Sequence, residues 1–299
     1  MNIKIIYEDS DLLVIDKPSG ITVNRSDTTR EEETVQDFAE KYLKITKGAE
    51  VAHKNFLVRN ARQKLSQDSL RESASTTNEN FESSPRPPTS DNDFFKRGGI
   101  VHRIDKETSG ILLIAKNPAA FLNLQKQFKE RKVEKTYVAL VHEEVKPEIG
   151  EINVPVGRLS FNRRRFGIVA GGREAVTKYK ALKYLEVQNG KWDTESLISR
   201  NRNIKKSSSK TSHFTLLELY PKTGRTHQIR VHLKYFGHPV FSDPLYAGRK
   251  VSRTDRKLLP RLFLHAANIS FLHPKTGKQV SFKSDLPKDL ENFLSNLNE

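Results

Sequence analysis

Residues 97–116 read RGGIVHRIDKETSGILLIAK, and they place a loop carrying His102, Arg103, Asp105 and Lys106 directly ahead of an apolar run. The run, GILLIAK at 110–116, is short and is followed at once by Asn117-Pro118. It reads as a buried strand, so HRIDKETS is the loop that delivers the chain into it. Four polar groups at the mouth of a buried strand point to a site, because binding and catalytic residues concentrate on loops held by a rigid scaffold. Read alone, the four fit equally well an ion-paired turn in which Asp105 holds Arg103 or Lys106. A metal on His102 and Asp105 is the weaker reading, since no third ligand is spaced nearby.

Outward from this stretch, strand signals dominate. IKIIYED at 3–9, DLLVIDKPSG at 11–20, TYVALV at 136–141 and HFTLLELY at 213–220 are short apolar runs, several of them ended by Asp, Pro or Gly. Asn117-Pro118 followed by Phe121, Leu124 and Phe128 reads as a capped helix with Pro at its first position. Thr226 can cap a second helix, with Ile229, Leu233 and Phe236 as its buried stripe and Gly237 and Pro239 as its stop. Strands and helices do not alternate regularly, which predicts an α+β fold around a mixed, mainly antiparallel sheet. One domain is expected over 1–299, interrupted twice. Residues 66–93 are rich in Ser, Thr, Asn and Pro and too polar to offset the entropy of ordering, so a disordered insert is expected there. A second interruption, NRNIKKSSSKTS at 201–212, reads as a lysine-rich loop between strands.

The totals narrow the chemistry. With no cysteine among 299 residues, disulfides, thiolate-bound metals and a thiol nucleophile are excluded. There is no apolar span long enough for a membrane helix, and the N-terminus carries acids where a signal peptide carries bases, so a cytoplasmic protein is expected. Lys and Arg number 52 against 36 Asp and Glu, a formal charge of +16. The 66–93 stretch is itself net −4, which leaves +20 on the remainder and predicts a polyanionic partner.

A second cluster, YPKTGRTHQIRVHLKYFGHPVFSD at 220–243, carries Arg225 just before the expected cap and Arg230 on the first turns of the helix, off its apolar stripe. Periodicity alone puts Arg230 in solvent. His227, His232 and His238 read first as packing or hydrogen-bonding residues.

Together the two clusters resemble the RluA family of RNA pseudouridine synthases. HRIDKETSGILLIAK matches the family's His-Arg-Leu-Asp-Lys segment running through Thr-Ser-Gly into an apolar strand, with Ile104 in place of Leu. YEDSDLLVIDKPSGITV, EKTYVALV at 134–141, TGRTHQIRVHL with GHP at 223–239, and LFLHAANISFLHP at 262–274 extend the match. IVHRIDK, EKTYVAL and GEINVPVGR look most like the RluD-type branch, although that branch usually has a small RNA-binding domain ahead of the catalytic core, and a protein lacking that domain is expected. Where the family generally has Gly-Asp shortly after GHP, this chain has Ser242-Asp243.

The resemblance implies a cofactor-free, metal-free isomerase that converts uridine to pseudouridine in structured RNA. The N1–C1′ bond is cut, the uracil turns, C5 joins C1′ and the C5 proton leaves. By resemblance Asp105 is the catalytic carboxylate, either stabilising cationic character at C1′ or attacking a carbon, as carboxylates do in glycosidases. Arg230 is its expected ion-pair partner, opposing the cost of burying that charge. Tyr137 packs on the uracil and is a candidate base for C5, and Leu264 walls the base on another side. Arg103 is suited to fill the stack that the flipped nucleotide leaves, while Arg225 contacts RNA. The expected partner is ribosomal RNA in preference to transfer RNA, with the protein acting as a monomer. Two further readings stand beside this one: a non-catalytic RNA-binding or ribosome-assembly factor, and a metal-dependent nuclease or phosphotransferase using His102 and Asp105.

Overall fold

The computed structural model describes residues 1–25, 32–45, 91–160, 162, 165–188 and 211–297. Residues 66–90 of the expected polar insert and 201–210 of the expected lysine-rich loop lie outside these. Residues 91–93 open a helix, and Thr211 and Ser212 begin a strand.

In chain order the strands are β1 (Lys4–Glu8), β2 (Leu12–Lys17), β3 (Ser109–Ala115), β4 (Glu134–His142), β5 (Ile149–Asn153), β6 (Val156–Arg158), β7 (Phe166–Ile168), β8 (Val176–Gln188), β9 (Thr211–Pro221), β10 (Leu264–Leu272) and β11 (Gln279–Lys283). The helices are α1 (Val35–Tyr42), α2 (Asp91–Lys96), α3 (Pro118–Lys129), α4 (Gln228–Tyr235), α5 (Arg249–Leu258) and α6 (Lys288–Asn296). One large sheet runs β1-β2-β3-β10-β4-β9-β8-β5 with β11 alongside β10, and β6 pairs with β7 separately. Every pairing in the large sheet is antiparallel except β3 with β10. The fold is the expected α+β arrangement. Among the described residues no helix is long and apolar enough to cross a membrane.

The continuous apolar run that marks β3 has a simple cause: both of its faces are covered. Ile111, Leu113 and Ala115 pack with Ala120, Phe121 and Leu124 of α3 on one side, and Leu112 and Ile114 pack with Val35 and Ala39 of α1 on the other. A strand buried on two faces loses the apolar–polar alternation of a half-exposed one. Asn117 caps α3 as expected, its Oδ1 accepting from the Ala120 N–H at 2.9 Å, with Pro118 in the first turn.

The β3–β10 contact is brief, joining only Ser109 to His265 and Gly110 to Ala266. It depends on glycine. Gly110 has φ +111, and a Cβ there would lie 2.2 Å from the Ala266 carbonyl oxygen. Gly110→Ala is therefore expected to cost about 3 kcal/mol through backbone strain and overpacking. A urea-denaturation midpoint matching wild type would contradict this.

The other half of the sheet is closed by α4, whose Ile229 and Leu233 pack on Ala139, Val141, Leu217 and Leu219 of β4 and β9. Its N-cap is His227, one residue beyond the expected Thr226. His227 sits in the left-handed region at φ 56 and makes no side-chain cap bond. The fold thus brings the loop before β3, the middle of β4, the start of β10 and the start of α4 to one place.

Candidate active site

A cavity of about 500 Å³ opens where these four elements meet, and its walls include Arg103, Asp105, Tyr137, Arg225, Arg230 and Leu264. All six residues singled out in the sequence line it. Asp105 is the only acid on the walls among the described residues, against the cations Arg103, Lys129, Arg131, Lys135, Lys222, Arg225 and Arg230.

Asp105 stands on a loop pinned from beneath by the DKPSG segment at 16–20. Lys17, fully buried at the end of β2, donates from Nζ to the carbonyls of Pro18 (2.9 Å), Ile21 (2.9 Å) and Lys106 (3.0 Å). The Gly20 N–H also donates to the Lys106 carbonyl at 2.8 Å, and Ser19 Oγ to the Glu107 carbonyl at 2.6 Å. Arg256 completes the clamp from α5, its Nη1 donating to Glu107 Oε2 at 2.9 Å. Burial and then the nearby Arg261 push the Lys17 ammonium down to about 7, while Asp105 and Asp16 pull the other way. Lys106 and Glu107, the two residues that follow Asp105, are thus held by the protein's own framework.

His102 serves the same framework. Its Nε2 accepts from the Leu113 N–H at 3.0 Å, and its ring stacks on Phe128 at 4.8 Å between centroids. Burial, with Lys135 and Arg97 nearby, pushes the imidazole down to about 3, so it stays neutral and suited to accept that bond. Among the described residues no group of three or more His, Asp or Glu could hold a metal.

Arg230 departs from its periodicity. Far from facing solvent, it is 5% exposed, because Gln228 through Leu233 are all buried and α4 has no solvent face in its first turns. Its Nη1 donates to Asp105 Oδ2 at 3.1 Å. Its Nε and Nη2 grip Asp243 Oδ2 and Oδ1 at 2.7 and 2.8 Å. Burial opposes the Arg230 charge, but the Asp243 and Asp105 carboxylates outweigh it and hold the guanidinium protonated. The Tyr246 ring stacks under the guanidinium at 5.1 Å from its centroid. The Tyr246 hydroxyl is fixed in turn by the Phe166 N–H at 3.1 Å and by His227 Nδ1 at 2.9 Å.

Asp243, wholly buried, escaped the sequence reading. The signal was the Ser242-Asp243 step itself. Ser242 adopts φ 60, a conformation that favours the glycine found there in the resembling family. Ser242 is held in it by Oγ donating to the Leu259 carbonyl at 2.6 Å and by its N–H donating to Asp255 at 3.0 Å.

Tyr137 and Leu264 form the floor from neighbouring strands, β4 and β10, where Leu264 opposes Ala139 and Ala266 opposes Tyr137. Burial, and after it the Asp105 charge, raises the Tyr137 phenol well above its usual range, so it remains protonated. At the rim, Arg103 is exposed, and Arg225 is held by its Nε donating to the Glu174 carbonyl at 3.0 Å.

Residues 11–235, which carry the loop, Tyr137 and Arg230, match the family described as RNA pseudouridylate synthase. The chain belongs to the RNA pseudouridylate synthase family. It is 36% identical over 201 residues to an uncharacterized RNA pseudouridine synthase of Bacillus subtilis, an alignment covering 67% of this chain and 56% of that protein. The chain thus spans only a little over half the length of this curated relative. It is 31% identical over 299 residues to the ribosomal large subunit pseudouridine synthase C of Buchnera aphidicola, covering 98% of this chain and 70% of that one. In fold it is similar to human RNA pseudouridylate synthase domain containing 1, with a TM-score of 0.58 and 22% identity over 98% of this chain and 87% of that one.

Proposed function

We propose that this RNA pseudouridylate synthase isomerises specific uridines to pseudouridine in large-subunit ribosomal RNA, with Asp105 as the catalytic carboxylate. The observation that carries the reading is a single carboxylate, tied to Arg230, in a cavity whose other ionic wall residues, among the described ones, are all Lys or Arg. Such walls suit an RNA strand and reserve the one anion for the reacting nucleotide. A relative that carries a ribosomal large-subunit name along nearly the whole chain supports ribosomal RNA over transfer RNA.

In this reading the uridine leaves its stack, at a cost of about a few kcal/mol, and exposed Arg103 occupies the gap with its planar guanidinium. The uracil then lies between Tyr137 and Leu264, with C1′ toward Asp105. The carboxylate acts as the N1–C1′ bond breaks, the ring turns, C5 bonds to C1′, and the C5 proton is lost as N1 regains one. Arg230 holds the carboxylate in line throughout. Because Tyr137 is kept protonated, its first role is to pack on the uracil. Covalent attachment of Asp105 to the nucleotide would remove the smaller of the two causes, the Asp105 charge, and leave burial, the larger, in place.

Pseudouridine mapping of total RNA from cells with and without the gene tests this directly. One or a few positions in the large-subunit RNA are expected to revert to uridine when the gene is removed. Loss confined to transfer RNA would redirect the substrate assignment, and an unchanged map would reject the enzyme reading in favour of an RNA-binding role.

A further inference from the structure

The wall of the cavity also carries residues that the steps above leave unused. They are Val133 just ahead of β4, Lys135 near the start of β4, Phe128 and Lys129 from the end of α3, and Lys222 from the turn after β9. Strand alternation places Lys135 on the same face as Tyr137, two residues and about 7 Å along β4. That distance is within reach of the sugar-phosphate of a nucleotide whose base lies on Tyr137. Lys135 is half-buried, and among the described residues neither it nor Lys222 pairs with a carboxylate. The other charged and titratable groups on the cavity wall are Lys129 at the end of α3 and Arg131 just beyond it, His102, Arg103 and Asp105 on the loop before β3, Tyr137 on β4, and Arg225, His227 and Arg230 around the start of α4. Asp105 alone among them is an acid, and it is paired with Arg230. A lysine drawn out of water without an anion is disfavoured, and two placed together more so.

Building on the proposed function, we infer that Lys135 and Lys222 hold a backbone phosphate of the nucleotide that enters the cavity, so that these lysines fix the sugar while Asp105 works on it. In the free protein, burial and the neighbouring Lys222 push the Lys135 ammonium down to about 8. A phosphate between the two lysines reverses both the repulsion and the missing counter-charge, so RNA binding draws a proton onto Lys135. The sign follows: RNA binds best below about pH 8, where Lys135 is already charged, and more weakly as pH rises through that value.

The test uses total RNA labelled with C5-tritiated uridine in cells lacking the gene, with tritium release measured across RNA concentration, pH and salt. Lys135→Gln is expected to raise KM about tenfold, the size of one charge-assisted hydrogen bond, with the loss falling on KM more than on kcat. It should also lower the slope of log kcat/KM against log salt by about one phosphate contact. Lys135→Arg, permanently charged, should keep a low KM and erase the weakening through pH 8. A structural role for Lys135 would move neither the salt slope nor the pH profile in this paired way. A wild-type KM and pH profile in Lys135→Gln would overturn the inference. So would a raised KM with an unchanged salt slope, which would indicate contact with a base rather than a phosphate. Absence of tritium release from the wild-type protein would instead reject the proposed function, and is visible before any variant is made.

Discussion

Asp105→Asn is expected to fold, to bind the same RNA and to release no tritium from C5-labelled uridine, a loss of at least ~10⁴ in turnover. The structure separates the three outcomes. Asparagine keeps the volume of the side chain and can still accept from Arg230 Nη1, the one side-chain hydrogen bond Asp105 makes to a described residue. Arg230 retains both of its bonds to Asp243, so the substitution leaves no buried cation unpaired. The stability change should therefore stay within about 1 kcal/mol. Affinity for RNA comes mainly from cations meeting phosphates, and removing one negative charge from that surface does not weaken it. What asparagine lacks is a charge able to meet positive character at C1′ or to bond to carbon. Turnover within about tenfold of wild type would remove Asp105 from the catalytic role.

How much of this arrangement could be read in advance depended on whether a residue's partners leave a trace along the chain. β3 was legible because burial on two faces produces an unbroken apolar run, and α3 because its cap and stripe are local. Arg230 was misplaced by the same logic: helical periodicity assumes one solvent face, and the first turns of α4 have none. Only its resemblance to a family position drew it toward Asp105. Lys17 stood in DLLVIDKPSG without drawing notice. Its partners are three backbone carbonyls, which every sequence possesses and none advertises. Lys135 sat in a quoted match, EKTYVALV, without drawing notice, since a lysine two residues from a tyrosine is ordinary until the strand shows that both face one cavity. The polar insert at 66–93 was expected from composition alone; residues 66–90 lie outside the described structure, and 91–93 open α2.

Asp243→Ala is expected to have the largest effect on stability, about 3–5 kcal/mol, because it strips a buried guanidinium of its principal partner. Arg230 and Asp243 have side-chain exposures of 6% and 0%, so water cannot take the carboxylate's place. The substitution also removes the acceptor for the N–H groups of Leu245 (2.8 Å) and Tyr246 (3.0 Å), loosening the turn that sets the Tyr246 ring under the guanidinium. Activity should fall with stability, since Arg230 is then free to swing toward Asp105 or away from it. The two losses can be told apart. Asp243→Asn keeps an oxygen for the two N–H groups and for one guanidinium contact, so it should recover part of the stability. Replacing the pair together, Arg230→Met with Asp243→Leu, removes the buried charge altogether and should restore more of the loss than either single change. Conversion should nevertheless stay absent, because Asp105 is left without its cation. Urea denaturation gives the stabilities and tritium release the activities. A single Asp243→Ala protein within about 1 kcal/mol of wild type would mean that Asp105 alone suffices to hold Arg230, and that the family's acid after the GHP turn is dispensable to the site.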